Sequence, residues 1–298
     1  MQKIGFIGLG AMGRPMAKNL LKAGYELFFV SRRPEVAQEF TAAGARQLKT
    51  HAEVTEQADV VISIVTADDQ VREIALGPHG IVQAATSGKA WLEMSTIGPW
   101  TAREMATVVA AKGMQMLDAP VSGGPWGAAA GTLSIMAGGE AQVFEQCRPV
   151  LEVLGDKLFH VGPLGAGQTV KLVNQMIAGA IMSLIGEGFV LAKAAGADLS
   201  MLADVMAVSS GNSTVLEARG KKFLIEGNFT PGFTTELMRK DLGLALELGQ
   251  QFQVPLPLAA AAYQQYQAAM RLGFAAEDFA AVAKVSEQAA NLKISAPQ

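Results

Sequence analysis

The sequence predicts an α/β fold, a doubly wound parallel sheet, followed by an all-α domain. Three observations predict it: short apolar runs alternate with helical patterns over the first half; a glycine cluster closes the first run; and strand signals stop after Gly162-Pro163. The expected domains are therefore 1–163 and 164–298. A chain of 298 residues, half of them apolar, has ample material for two cores.

The elements follow in order. Ile4-Gly5-Phe6-Ile7 reads as a strand and Arg14 to Ala23 as a helix stopped by Gly24. Further strands are expected at Leu27 to Val30, Val60 to Val65, Trp91 to Met94, Met114 to Asp118, Leu133 to Ala137 and Phe159 to Val161. From Thr169 the pattern is helical, with breaks at Gly196-Ala197-Asp198, Ser209 to Asn212 and Asn228 to Gly232. Met176 to Ala192 is apolar enough to resemble a short membrane span, but Glu187, Ser183 and the polar residues just before it favour a helix buried between protein layers.

Composition excludes several function classes. With 24 Lys and Arg against 27 Asp and Glu, net charge is -3, and nothing draws the whole molecule to nucleic acid or an anionic membrane. A lone Cys147 and three scattered histidines, His51, His79 and His160, exclude a disulfide framework and argue against a metal site. No signal peptide precedes the first strand, so the protein reads as cytoplasmic. The apolar surplus, with mean hydropathy +0.26, points to a homodimer or homotetramer.

Gly8-Leu9-Gly10-Ala11-Met12-Gly13 is a G-x-G-x-x-G joining the first strand to the first helix. Gly8 permits the tight turn, Gly10 lets backbone approach a pyrophosphate, and Gly13 lets helix pack on strand, as in a Rossmann-type dinucleotide site. The helix N-terminus offers free N–H groups to the phosphates. At the end of the second strand an NAD site carries an acid for the ribose hydroxyls. Here stand Ser31, Arg32 and Arg33, whose guanidiniums can bind a 2′-phosphate. NADP(H) is therefore the expected cofactor, with NAD(H) admitted.

Read together, the glycine loop, Asp118-Ala119-Pro120-Val121-Ser122-Gly123-Gly124, Gly165 to Gln175 and Lys240-Asp241-Leu242-Gly243-Leu244-Ala245 resemble the β-hydroxyacid dehydrogenase family over essentially the whole chain. The resemblance implies a hydride exchange between a nicotinamide cofactor and a small 3-hydroxy-carboxylate or its semialdehyde, such as 3-hydroxyisobutyrate or tartronate semialdehyde. It makes Lys171 the general acid in reduction and base in oxidation, with Asn174 orienting lysine and substrate. Independently, Lys171, Asn174 and Gln175 at i, i+3 and i+4 share one helix face, and a lysine on an apolar helix suits acid–base work.

The resemblance further implies that Ser122, Gly123 and Gly124 hold the substrate carboxylate and that Gln175 also binds substrate. It places Val65, Thr66 and Thr96 against the cofactor, and Phe233 and Lys240 closing over it. As bare sequence, Thr96 would serve equally as a helix N-cap, and Asp241 as an ordinary ion-pair partner. Pro125-Trp126 stands where relatives vary, and Val65-Thr66 departs from the Leu-Pro that relatives often carry there. Two other readings compete: a short-aldehyde reductase acting on succinic semialdehyde or glyoxylate, and a non-catalytic NADP-binding module. Lys171 opposes the second.

Overall fold

In the computed structural model, residues 2–295 are described, and they form two compact units, the first ending at Lys171 and the second starting at Leu172. The first unit is a nine-stranded sheet clothed by helices. Its elements are β1 (Lys3–Ile7), α1 (Gly13–Lys22), β2 (Glu26–Val30), α2 (Pro34–Ala42), β3 (Arg46–Gln47), α3 (His51–Gln57), β4 (Val60–Ser63), α4 (Asp68–Leu76), β5 (Ala90–Glu93) and α5 (Pro99–Ala110). They continue with β6 (Gln115–Asp118), β7 (Val121–Ser122), α6 (Gly124–Ala130), β8 (Ser134–Gly138), α7 (Ala141–Leu154) and β9 (Lys157–Gly162).

Strands β3-β2-β1-β4-β5-β6 pair in parallel in that order. Chain order reverses between β1 and β4, so the crevice beyond their C-terminal ends is the switch point where doubly wound sheets bind ligands. Strand periodicity explains how both faces are covered. Phe6, Phe29, Ile62, Leu92 and Leu117 enter one apolar cluster, whereas their neighbours Ile7, Phe28, Val61, Trp91 and Met116 enter the cluster on the opposite face. In α1, Met16, Ala17 and Leu20 are the buried stripe.

Strand β8 runs antiparallel to what precedes it. Asp118 pairs with Gly138, Val121 with Ile135 and Ser122 with Ser134, and the Met136 N–H donates to the Pro120 carbonyl at 3.0 Å. The register is constant throughout, so β6 and β7 are one strand, split only because Pro120 lacks an N–H.

The expected strands all occur, and two-residue β3 and β7 add to them. The third expected run, β4, ends at Ser63 rather than Val65, because the Val65 N–H turns to the Ser95 hydroxyl at 2.8 Å. The change to helical pattern falls between β9 and α8 (Ala166–Ala194), whereas packing divides inside α8, eight residues after 163. The first turns of α8 belong with the sheet because Asp118 and Gln168 bind them there.

The second unit comprises the rest of α8, α9 (Leu199–Ala207), α10 (Thr214–Arg219), α11 (Thr235–Gln251), α12 (Pro257–Arg271) and α13 (Ala283–Ala289). Met182, Phe189, Leu216, Met238, Leu242 and Tyr266 are central to its core. Among the described helices, α8 is long and apolar enough to cross a membrane, yet buried Gln168, Lys171, Gln175 and Ser183 lie along it.

Candidate active site

The glycine loop has the geometry a pyrophosphate requires. Gly8 has φ +101°, and a Cβ there would drive into the Ile64 carbonyl. A Cβ on Gly13 would strike the Gly8 carbonyl and come within 2.8 Å of the Phe6 ring, whereas Gly10 faces open space. No side chain caps α1 at Met12; the Arg14 N–H donates to the Gly10 carbonyl at 3.0 Å and Pro15 has no N–H, so an anion here would be met by the loop backbone that leads into Gly13 rather than by the whole first turn. These residues fit a dinucleotide.

Beside this loop, the Ser31 hydroxyl accepts from the Arg33 N–H at 3.2 Å. The Arg33 guanidinium donates to the Leu9 carbonyl, so it braces the glycine loop, while Arg32 is exposed. Burial holds His51 below the ordinary imidazole value, opposed by the Glu73 charge and aided by that of Arg32.

The loops after β4 and β5 are joined beneath the surface. Glu93 is fully buried; Ser63 donates to one of its oxygens and the Ser95 N–H to the other at 2.7 Å. Trp91 Nε1 donates to the Ser63 hydroxyl at 2.6 Å. Burial pushes the Glu93 carboxyl up to about 7, against hydrogen bonds from Ser63 and Ser95 that pull it down. Val65 is thereby tied to the Ser95 loop, and Thr66 is fixed through its N–H and hydroxyl to Gln70 Oε1 at 3.0 and 2.9 Å. Thr96 follows directly. It is not a helix cap, since α5 begins at Pro99 with Gly98 as its N-cap.

Asp118, at the end of β6, is also fully buried. It accepts the Gly165 and Gln168 N–H groups, each at 2.7 Å, and so caps α8. Gly167 permits this approach: a Cβ there would lie 2.6 Å from the Asp118 carbonyl oxygen. Gln168, itself fully buried, donates from Nε2 to the Ser95 carbonyl at 2.8 Å and accepts the Ile97 N–H at 3.1 Å.

Further along the β6–β7 strand comes Ser122, then Gly123 at φ +133° and Gly124 at φ +61°, opening α6. Trp126 stands out from α6, 58% exposed. Lys171 lies one turn after Gln168 on α8 and is only 6% exposed. The first unit thus carries the glycine loop, Ser31 to Arg33, Val65, Thr66, Thr96, Ser122 to Gly124 and Lys171.

The second unit groups a different set. Asn174 Nδ2 donates to Gln175 Oε1 at 3.2 Å, and Gln175 Nε2 to buried Asp241 Oδ2 at 2.8 Å. Lys240 Nζ lies 3.0 Å from Asp241 Oδ1, an ion pair by distance without hydrogen-bond geometry at that oxygen. Phe233 is anchored by its own partners, its N–H 3.4 Å from Asp278 Oδ2 and its ring edge-on to Phe279. Buried Asp278 also pairs with Arg219 at 2.9 Å.

Sequence reasoning passed over Glu93, Asp118 and Gln168 as site residues. The available signal was a carboxylate or amide in an otherwise apolar strand end or helix start, where burial demands a partner.

Comparison with known proteins agrees with this geometry. Residues 3–162 match the NAD-binding domain of 6-phosphogluconate dehydrogenase, and residues 165–286 the NAD-binding domain of NADP-dependent 3-hydroxyisobutyrate dehydrogenase. The chain is 40% identical to 2-(hydroxymethyl)glutarate dehydrogenase of Eubacterium barkeri over 99% of this chain and 98% of that one. It is 38% identical to 2-hydroxy-3-oxopropionate reductase of Escherichia coli, over 98% and 99% respectively. Among solved structures, Mycobacterium tuberculosis 3-hydroxyisobutyrate dehydrogenase with L-serine superimposes with a TM-score of 0.87 at 35% identity, over 95% of this chain and 98% of that one. With a dinucleotide cradle at the switch point, a buried lysine at the head of the connecting helix and relatives matched from end to end, the chain belongs to the β-hydroxyacid dehydrogenase family of nicotinamide-dependent oxidoreductases.

Proposed function

We propose that this enzyme interconverts a small 3-hydroxy-carboxylate and its semialdehyde, that NADP(H) is preferred to NAD(H), and that Lys171 moves the proton. Residues 1–163 serve as the dinucleotide domain and 164–298 as the helical domain. The observation that carries the reading is Lys171, a nearly buried lysine in the first turns of α8, which Asp118 caps from the end of the strand that continues to Ser122.

When bound, the nicotinamide ring supplies or accepts the hydride. In reduction Lys171 gives a proton from Nζ to the carbonyl oxygen, on which negative charge develops. In oxidation it takes that proton back. Its burial keeps competing water from the amine. The Ser122 hydroxyl and the backbone of Gly123 and Gly124 hold the carboxylate, and the positive-φ glycines turn peptide N–H groups toward it. Asn174, steadied through Gln175 by Asp241, orients lysine and substrate. NADP(H) preference rests on Arg32 with the Ser31 hydroxyl, at a strand end without an acid.

The same reading includes self-association into a homodimer or homotetramer. Ile177, Leu184 and Leu191 recur every seven residues along α8 and are 50%, 67% and 71% exposed. Such a seam is suited to a partner helix. Beside it, Ile177, Ile181, Leu184, Pro255 and Leu258 line an apolar groove of about 620 Å³.

Steady-state kinetics on three variants test the catalytic assignment. Lys171→Ala should lower kcat by about two to four orders of magnitude, with nucleotide affinity unchanged. Lys171→Arg should not restore activity, because guanidinium retains its proton at neutral pH. Ser122→Ala should chiefly raise KM. Near-wild-type activity in Lys171→Arg would make the lysine an anchor and overturn the mechanism.

A further inference from the structure

We infer that Gln168 is a positioning residue: its one side-chain amide locks the cofactor-side loop around Thr96 to the turn of α8 that carries Lys171. The inference rests on the role proposed above for that lysine.

Both ends of the amide are used. Nε2 donates to the Ser95 carbonyl at 2.8 Å and Oε1 accepts the Ile97 N–H at 3.1 Å. These groups belong to the two peptide bonds flanking Thr96, so Gln168 grips the backbone on either side of that residue. The Gln168 N–H is itself held, donating to Asp118 Oδ2 at 2.7 Å. Glu93 fixes the same loop from below through the Ser95 N–H, and the Ser95 hydroxyl accepts from Val65. A chain of buried hydrogen bonds therefore runs from the end of β4 through the ends of β5 and β6 into α8.

Helical glutamine ordinarily extends its amide to water. Burying it costs unless each polar atom is paired, and helix α8 needs no such contact for its own hydrogen bonds. Three residues later on the same helix face stands Lys171. Any displacement of the 95–97 loop relative to the helix head thus changes where Nζ lies relative to the nucleotide. Because misplacement of a reacting group by about 1 Å can cost about 100-fold in rate, this grip governs kcat more than binding.

The test compares wild type, Gln168→Ala and Lys171→Ala. Nucleotide affinity is measured by fluorescence quenching, and oxidation is followed with 3-hydroxyisobutyrate or glycerate, deuterated at C3. Gln168→Ala should lower kcat by about 10- to 100-fold, keep nucleotide Kd within about threefold, and raise the primary isotope effect on kcat as hydride transfer becomes limiting. Loss of folded protein alone would lower activity without moving the isotope effect. Gln168→Glu, which keeps the acceptor for Ile97 but sets a carboxylate oxygen against the Ser95 carbonyl, should fail to rescue.

A second readout needs no turnover. NADP+ should slow amide hydrogen exchange in residues 165–171 of the wild type and leave that segment unaffected in Gln168→Ala. Wild-type isotope effects together with intact nucleotide-dependent protection in Gln168→Ala would overturn the inference. Undiminished activity in Lys171→Ala would instead overturn the proton-transfer reading, with the exchange result still deciding whether Gln168 couples loop and helix.

Discussion

Asp118 carries a charge that folding disfavours. Burial pushes its carboxyl up to about 7 from the ordinary 3.8, although the Gly165 and Gln168 N–H groups both lower it. A folded value above the unfolded one makes the contribution to stability complete below about 3.8 and lost as pH rises through about 7. In that interval the unfolded chain has released the proton and the folded chain still holds it. The slope is about 1.4 kcal/mol per pH unit over about three units, hence about 4 kcal/mol at most. Glu93 acts in the same direction between about 4.5 and about 7.

Asp118→Asn removes the Asp118 share. Subtracting the variant's pH–stability curve from the wild-type curve should give a line falling by about 1.4 kcal/mol per unit from about pH 5 to 7 and level above. His51, with its lowered value, contributes in the opposite sense and cancels in the difference. Asparagine keeps one acceptor oxygen and turns an NH2 toward the other amide. The unsatisfied N–H should cost the variant about 1–3 kcal/mol at acid pH. Urea unfolding followed by tryptophan fluorescence is the assay, because Trp91, Trp100 and Trp126 all lie in the first unit. A difference curve that is flat or rising between pH 5 and 7 would refute the reasoning.

Gly10→Ala meets open space and should leave Tm within about 2 °C while weakening nucleotide binding at least tenfold, whereas Gly13→Ala should lower Tm as well, by about 2–4 °C per kcal/mol. Calorimetry and fluorescence titration distinguish them. Arg32→Ala should remove about 1.5–3 kcal/mol of NADPH affinity and spare NADH. Arg33→Ala should weaken both nucleotides, because Arg33 braces the Leu9 carbonyl; a wild type that prefers NADH contradicts the assignment. Sedimentation should give at least a dimer, and a 31.2 kDa species at micromolar concentration would oppose the α8 seam as an interface.

Much of this architecture is legible in residues. Apolar runs with period 2 that alternate sides, such as Phe28 with Phe29 and Trp91 with Leu92, announce a sheet covered on both faces. The glycine motif is legible because each position has a separate steric duty. What periodicity does not reveal is partnership. Glu93 and Asp118 read as ordinary polar strand ends until their donors, 2 and 47 residues away, are known. Arg33 illustrates the same limit: its charge suits a 2′-phosphate, but its guanidinium donates to the Leu9 carbonyl. The packing division inside α8 is hidden because helical pattern says nothing about which neighbour a turn binds.

The unbroken register through Pro120 turns Asp118 and Ser122 into two marks on one ruler. Residues four apart on a strand face the same way, so a single insertion or deletion between them would turn the hydroxyl to the opposite face while leaving the helix clamp in place. Length in this segment is therefore more constrained than composition. In sequences too divergent to align by identity, an acid and a hydroxyl separated by three residues before a double glycine is the spacing to search for, and a designer transplanting this pocket should copy the interval before copying the side chains.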